Sequence, residues 1–503
     1  MTITIDNAMR IPLDGIGLEA AGRVQERLTM RNPAYDQAVA RLRSQGRGHM
    51  IPYGPDGRPV HELIYGWRID GGVLTVPRGC AGEIIEMLGL GMKDVEPRLT
   101  HRPPVEFGFR GQLKRVQKPA CKAILKRRFG TLESPTGSGK TVMGLWAIAE
   151  RRQPALVMVH TTKLLHQWVE RACEFLDIGE GEIGIIGQGR RDVGERLTIA
   201  LVQTLHKCAG EVQHKVGHLI CDEVHHLPAN TVTHAVAAFA SAYMLGLSAT
   251  HRRADGLHPL IYWYVGPLVH RVPRRDLLDE GVIVEVEPVF RETGWRPDDG
   301  VMKALADRTA IAAAGHRGEA VIMSRDERRG ANTAQAALIT AMAGDAGRND
   351  LIAADVASEA ARGPCIVLTD RVAHAEALAA LVAGRGVAAA FCHGGVPKDI
   401  QRKLTNDLNG GGLRVLVGTG QLLGEGFDCK ALVALFLATP VKFSGRLIQF
   451  LGRVARGADG KAGARVYDYH DDVPVLMRQA RERMRTYRRL AAQGRGPTKN
   501  KKN

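Results

Sequence analysis

The chain has no Cys-x-x-Cys pair, no apolar run of membrane length, no lipidation motif and no repeat of fixed period. Each absence removes a class of protein. Eight scattered cysteines (Cys80, Cys121, Cys173, Cys208, Cys221, Cys365, Cys392 and Cys429) cannot form a zinc ribbon, and their spacing predicts reduced thiols. The opening "MTITIDNAMRIPLDG" lacks a basic segment followed by an apolar one, so no secretory leader is expected and the predicted compartment is the cytoplasm. Acidic residues are also in short supply. Asp and Glu number 53 against 69 Lys and Arg, giving a formal charge of +16 and a pI near 9.6. Such an excess suits a polyanion partner, with a solubilising surface as the plain alternative; a membrane is not expected.

At 503 residues, two to four domains are expected. Residues 1–105 read as a small mixed α/β module. "RNPAYDQAVARLRSQGRG" predicts a short helix with Asn32 as cap, Pro33 in the first turn and Gly46 as stop. "VHELIYGWRIDGGVLTVPRG" predicts two strands around Asp70-Gly71-Gly72, and "AGEIIEMLG" a helix. The proline-rich "EPRLTHRPPVEFGF" reads as a linker. Residues 106–278 then alternate apolar strands with helices, the pattern of a parallel sheet covered on both faces. Residues 279–472 repeat that alternation after a helical, Ala-rich stretch at about 295–362, and 473–503 read as a helix and basic tail.

Between the first apolar strand and its helix lies "SPTGSGKT", residues 134–141. Gly137 and Gly139 lack a Cβ, so backbone N–H groups can converge on phosphate oxygens, and the helix N-terminus behind them favours an anion. In this pattern Lys140 reaches the outer phosphates and the Thr141 hydroxyl ligates Mg²⁺. Ser134 stands where the strict pattern has glycine. Further on, Asp222 and Glu223 end a strand in "LICDEVHHL". Adjacent carboxylates at a strand end repel unless a cation sits there, so Asp222 is expected to hold Mg²⁺ and Glu223 to deprotonate an attacking water. His225 and His226 are neighbours in sequence and do not suggest zinc.

These residues resemble superfamily 2 helicases and translocases of the DExH type. "SPTGSGKT" looks like motif I, "VHTTKLLHQW" like motif Ia, "LVQTLHK" like the next strand-contacting motif, "DEVH" like motif II and "LSAT" like motif III. "LKRVQKPA" is similar to the adenine-reading segment, with Gln117 as base contact. "IVLTDRVAHAEAL", "AAFCHGG", "VLVGTGQLLGEGFD" and "QFLGRVAR" look like motifs IV, IVa, V and VI in order, over roughly 110–470. Within the superfamily, "LGLSATHRRADGLHPLIYWYVGPLVHRV" resembles the XPB/UvsW-like branch.

The resemblance implies two tandem RecA-like domains, with ATP and Mg²⁺ as cofactors. Thr136, Gly137, Ser138, Gly139, Lys140, Thr141, Gln117, Gly426 and Asp428 are the implied nucleotide contacts, and Gln449, Arg453 and Arg456 the implied motif VI residues that act on the transferring phosphoryl group. Thr161, Thr162, Gln203, Thr204, Arg371, His393 and Thr419 are the implied nucleic-acid contacts. DNA and 3′–5′ movement, on branched or R-loop substrates, are implied by the branch. RNA or RNA–DNA hybrid unwinding, and an ATP-gated clamp or annealing factor, remain as alternatives. In residues 1–105, Arg41, Arg43, Arg47 and Arg58 with Tyr65 and Trp67, placed on the hairpin, are expected to engage nucleic acid, with packing of Tyr65 and Trp67 against the helices at 33–45 and 81–88, or a protein-docking surface, as the alternatives.

Overall fold

A computed structural model describes residues 2–503 except 44–46, 48, 54–57, 228–229, 251–254, 303–335, 421–426, 428, 442–443 and 495–503. The chain divides into two compact units, Met1–Ala40, Met50–Pro135 and Gly139–Val272 forming the first, and Arg41–His49, Thr136–Ser138 and Pro273–Asn503 the second. Each carries a parallel sheet, as the RecA-like reading expects.

The first unit opens with strands β1 (Ile3–Ile5) and β2 (Ala8–Pro12) and the helix Leu13–Arg27, none of which stands out in the sequence. β3 (Thr29–Arg31), the helix Pro33–Arg43, β4 (Leu63–Tyr65), β5 (Arg68–Asp70), β6 (Val73–Pro77), the helix Ala81–Met87 and β7 (Val95–Pro97) follow. Asn32 caps its helix as expected, its Oδ1 accepting from Ala34 N at 3.1 Å. Gly71 and Gly72 turn the β5–β6 hairpin with φ of 53° and 75°. The strand expected to run through 63–70 is instead broken. β4 pairs with β3, and β5 with β6 in the sheet β5-β6-β2-β1-β7. The break falls at Gly66, where a Cβ would stand 2.7 Å from the Trp263 ring. Tyr65 and Trp67 therefore lie off the hairpin: Tyr65 is exposed, and Trp67 donates its Nε1 to Thr29 Oγ1 at 3.0 Å.

The larger sheet of this unit contains β8 (Phe129–Glu133), β9 (Ala155–Val159), β10 (Ile183–Gly187), β11 (Arg190–Arg191), β12 (Leu197–Leu201), β13 (His218–Cys221), β14 (Tyr243–Ser248) and β15 (Leu268–Arg271). Its order is β11-β10-β12-β9-β13-β14-β8-β15, parallel throughout apart from the β10–β11 pair. β9 and β13 are buried along their whole length, which is why they read as unbroken apolar runs.

Residues 1–100 share their core with this sheet. Ile3, Met9, Leu74 and Ile84 belong to one apolar cluster with Leu219, Phe239, Ile261 and Trp263. Arg78 is buried at the junction, donating Nη1 to Ser241 O at 2.9 Å with its guanidinium 5.0 Å from the Phe129 ring centre. Gly79 beside it has no room for a Cβ against the backbone of Tyr262, Trp263 and Gly266.

The second unit has the sheet order β16-β21-β20-β17-β19-β18, from β16 (Val286–Glu292), β17 (Cys365–Thr369), β18 (Ala389–Cys392), β19 (Val415–Thr419), β20 (Ala434–Leu437) and β21 (Ala464–His470), all parallel. Of the helical stretch expected at 295–362, residues 336–344 and Ala346–Ala360 are helical, and 303–335 lie outside the described residues. Helical spacing predicts that Val473, Leu476, Met477, Ala480, Met484, Tyr487 and Ala491 line the docking face of the helix Pro474–Gly494, and the stripe that docks is a different one. Val473, Leu476, Ala480 and Tyr487 are buried as expected, whereas Met477 is 40% exposed and Ala491 is exposed. Arg483 and Thr486 are buried instead. Arg483 donates Nε and Nη2 to the two Asp468 oxygens at 2.8 and 2.7 Å, so a charged side chain takes a core position because a buried carboxylate on β21 meets it. Among the described residues no cysteine is in a disulfide, and no helix is long and apolar enough to cross a membrane.

Candidate active site

β8 delivers the chain into the loop before the helix Lys140–Arg151. Gly137 and Gly139 both take φ of 87°, the left-handed region that glycine enters without strain. A Cβ on Gly139 would collide with Gln117 Nε2, so this glycine also lets the Gln117 amide lie against the loop. Gln117 is buried at the start of the helix Gln117–Leu125, and its Oε1 accepts from Lys114 N at 2.9 Å. Ser138 is buried, and Thr136 and Thr141 are partly so. The Lys140 ammonium turns back to donate to Ser134 O at 3.2 Å.

Asp222 and Glu223 directly follow β13 and approach Lys140 closely enough to interact electrostatically. Asp222 is buried, with Oδ2 accepting from Trp168 Nε1 at 2.8 Å and Oδ1 from Glu223 N at 2.9 Å. Burial first, then the Glu223 charge, raises the Asp222 carboxyl above its usual range, although Trp168 and Lys140 oppose this. Burial acts to raise Glu223 as well, but Lys140, His225 and His226 outweigh it and hold Glu223 low and ionised. Glu223 takes φ of 47°, one of three positive-φ non-glycine residues among those described. That conformation is strained for a side chain with a Cβ, and such strain concentrates at functional sites. Its Oε2 is buried without a hydrogen bond and lies 3.3 Å from His225 Nδ1. His225 Nδ1 is also 3.1 Å from Ser248 Oγ, linking the segment after β13 to the "LSAT" residues at the end of β14.

This arrangement offers a loop of backbone N–H groups, an ammonium, a hydroxyl, and two carboxylates of opposed pKa. Among the described residues no cluster of three His, Cys, Asp or Glu side chains forms a cage for a metal. A hard cation here needs oxygens from a bound phosphate beside those of Thr141 and Asp222, the manner in which Mg²⁺ is usually held. The orphaned Glu223 oxygen suits a water. The residues present therefore fit a magnesium–nucleotide.

The predicted nucleic-acid contacts of this unit stand at the C-terminal ends of its strands. Thr161 follows β9 and caps the helix Thr162–Phe175, accepting from Leu164 N at 3.3 Å. Thr162 begins that helix. Gln203 and Thr204 lie in the first turn of the helix Val202–Val212, after β12, and Gln203 Nε2 donates to His160 O at 3.3 Å.

In the second unit Arg371 follows β17, with Nη2 donating to Ala336 O at 3.2 Å, while His393 follows β18 and Thr419 ends β19. Gly426 and Asp428 lie outside the described residues. Gln449, Gly452 and Arg453 are on the helix Ser444–Val454, and Arg456 follows it. Arg453 Nη1 donates to Phe427 O at 2.5 Å, tying this helix to the motif V segment. The Lys461 ammonium donates to Val454 O, Arg456 O and Lys430 O at 2.6, 2.9 and 3.0 Å.

Two supporting residues escaped the sequence reading. Trp168 sits inside the quoted "VHTTKLLHQW", yet a tryptophan on an apolar helix face reads as core. Lys461, in a polar Gly-rich turn, gives no signal at all.

Two family models match the chain: "Type III restriction enzyme, res subunit" over residues 110–253 and "Helicase conserved C-terminal domain" over 348–458. The chain is 39% identical over 160 residues to "DNA 3'-5' translocase XPB2" of Sulfurisphaera tokodaii, covering 32% of this chain and 36% of that protein. It is 28% identical over 277 residues to "DNA 3'-5' helicase XPB" of Mycobacterium tuberculosis, covering 52% of this chain and 50% of that one. The chain thus spans about a third to a half of the length of these curated relatives. Two matched domains in this order, with two parallel sheets and the ordered motifs at their strand ends, show that the chain carries the paired domains of the superfamily 2 helicases and translocases and is similar to XPB proteins.

Proposed function

We propose that the chain is an ATP-dependent DNA helicase or translocase that moves 3′ to 5′. The observation that carries the reading is the grouping of the part-buried Lys140 and Glu223 with the buried Asp222 behind a glycine loop, with the Glu223 Oε2 left without a hydrogen bond. The printed names of the two relatives support DNA and the polarity.

Bound ATP with Mg²⁺ supplies the phosphoanhydride that is cleaved and the charge neutralisation it needs. Thr141 and Asp222 hold the metal, Lys140 meets the outer phosphate oxygens, and Gln117 reads the base. Glu223, already ionised, takes the proton of the water that attacks the γ-phosphorus, and the bond to the ADP oxygen breaks. Gln449, Arg453 and Arg456 act on the transferring phosphoryl group, for which a planar guanidinium is suited. Thr161, Thr162, Gln203, Thr204, Arg371, His393 and Thr419 contact the nucleic-acid backbone, which makes grip insensitive to sequence.

The test is ATP turnover and strand displacement on single-stranded, forked, four-way, RNA–DNA hybrid and RNA substrates. DNA-stimulated turnover with displacement is the expected result. Turnover unaffected by any nucleic acid overturns the reading. Stronger stimulation by RNA replaces DNA as the substrate, and stimulation without displacement points to a translocase or a clamp.

A further inference from the structure

The helix Pro474–Gly494 is held rigidly on the second unit. Leu476, Ala480, Arg483, Thr486 and Tyr487 are buried, Arg483 grips Asp468 through two hydrogen bonds, and the Tyr487 hydroxyl donates to Asp468 Oδ2 at 3.0 Å. At 3.6 residues per turn the buried side chains occupy one face, and Arg478, Arg481, Arg485, Arg488 and Arg489 fall within an arc of about 100° on the opposite face. All five are exposed.

Among the described residues none of these five side chains forms a hydrogen bond or ion pair. Glu482, the sole acidic residue of the helix, lies within a turn of Arg478 and Arg485 and pairs with neither. Some exposed arginines elsewhere meet an acid, as Arg31 does with Asp36 and Glu62, Arg98 with Glu96, Arg190 with Asp192 and Arg296 with Asp472, and others such as Arg68 and Arg402 stand singly; five on one arc of one helix is what sets this ridge apart. Five like charges fixed along one ridge repel one another and weaken the helix unless an anion meets them. From Arg478 to Arg489 the ridge runs about 16 Å at 1.5 Å per residue, close to the length of five phosphates of one DNA strand at about 3.4 Å each.

We infer that this ridge is a second nucleic-acid-binding surface, which takes the sugar–phosphate backbone without reading sequence. The inference rests on the proposed function. It adds a contact outside the strand-end motifs, one that supplies affinity and not catalysis.

The test compares the full chain with its R478Q/R481Q/R485Q/R488Q variant. Four exposed positions on a helix anchored by its other face leave the fold intact, which matching thermal melts verify. Affinity for a DNA duplex and a single strand is measured from 50 to 300 mM KCl, about the range over which counterion release dominates. The expected result is a log–log salt slope shallower by up to about 3.6, at about 0.9 for each lost phosphate contact, with DNA-independent ATP turnover unchanged. The matching Arg→Lys variant is expected to recover most of the slope, since charge and not the guanidinium fork is what counts. An unchanged slope in the Gln variant, with DNA-stimulated turnover intact, overturns the ridge and leaves the proposed function standing. A parent chain that binds no nucleic acid overturns both. Loss of binding to phosphatidylserine vesicles with an unchanged DNA slope overturns the inference in favour of a membrane.

Discussion

Trp168 Nε1 donates to Asp222 Oδ2 at 2.8 Å inside the first unit, with both residues buried. The indole also lies over Gly144 on the loop-following helix, where a Cβ would approach it to 2.9 Å. One side chain thus orients the carboxylate proposed to hold the metal and packs the helix proposed to hold the phosphates. Its own helix begins at Thr162, a proposed nucleic-acid contact. Trp168→Phe keeps most of the packing and removes the donor. A hydrogen bond to a buried charge contributes about 1.5–3 kcal/mol, so half-saturating Mg²⁺ for ATP turnover is expected to rise by roughly 10- to 100-fold. A titration of turnover against Mg²⁺ checks this; a variant that loses thermal stability with an unchanged Mg²⁺ midpoint leaves Trp168 a packing residue only.

Lys140→Ala and Glu223→Gln are expected to abolish turnover by different routes. The first weakens nucleotide binding. The second retains binding, because Gln is isosteric, and lowers kcat by about 10²- to 10⁴-fold through loss of the base. Nucleotide titration beside steady-state turnover separates them. Near-parental hydrolysis by Glu223→Gln would falsify the assignment of the base.

Arg456→Ala is expected to lower turnover by about 10³-fold or more, while its backbone carbonyl still receives Lys461. Lys461→Met removes three donated hydrogen bonds, two of them part-buried, and leaves those carbonyls without their donor. The expected cost is on the order of 3 kcal/mol, together with reduced turnover from the loosened end of the motif VI helix. Chemical melts and turnover of both variants check the contrast.

Stability is expected to fall in acid through two buried histidines. Burial lowers His218 to about 3, and lowers His374 to about 4 with Arg348 adding to it. His374 is fixed between Thr369 Oγ1 and Asn349 Oδ1, each at 2.8 Å. The unfolded chain takes up a proton near pH 6.5 that the folded chain refuses, so the contribution is full above about 6.5 and is lost as pH falls towards 4. Each histidine adds a slope of about 1.4 kcal/mol per pH unit in that window. Urea melts at pH 7, 6 and 5 measure it, and His374→Gln is expected to be weaker at pH 7 and shallower below it.

Because residues 1–100 share a core with the first sheet, a chain starting at Pro103 is expected to aggregate. It leaves apolar surface around Phe239, Ile261 and Trp263 uncovered. Arg78→Ala tests the junction more gently, leaving Ser241 O unpaired and a void beside Phe129, for a loss of about 3 kcal/mol or more. Recovery of a monomeric, cooperatively melting 103–503 chain would show the module to be separable.

The strands and phosphate loop were legible because their signals are local. β9, β13, β17 and β20 are buried on both faces, so each reads as an apolar run, and a glycine loop before a helix carries its chemistry in its own backbone. β1 and β2 gave too little signal, since three and five half-apolar residues match no period well.

What the sequence determined by itself was the alternation of strand and helix, the phosphate loop with its acidic pair, and the order of motifs. Tertiary structure decided what depends on partners far along the chain. Gly66 breaks a strand because Trp263 stands over it. Arg483 enters the core because Asp468 is buried opposite it, and Trp168 turns from filler into a support because Asp222 meets its N–H. The physical reason is shared: a polar group is tolerated in the interior when a matching partner is brought to it, and the fold alone makes that match.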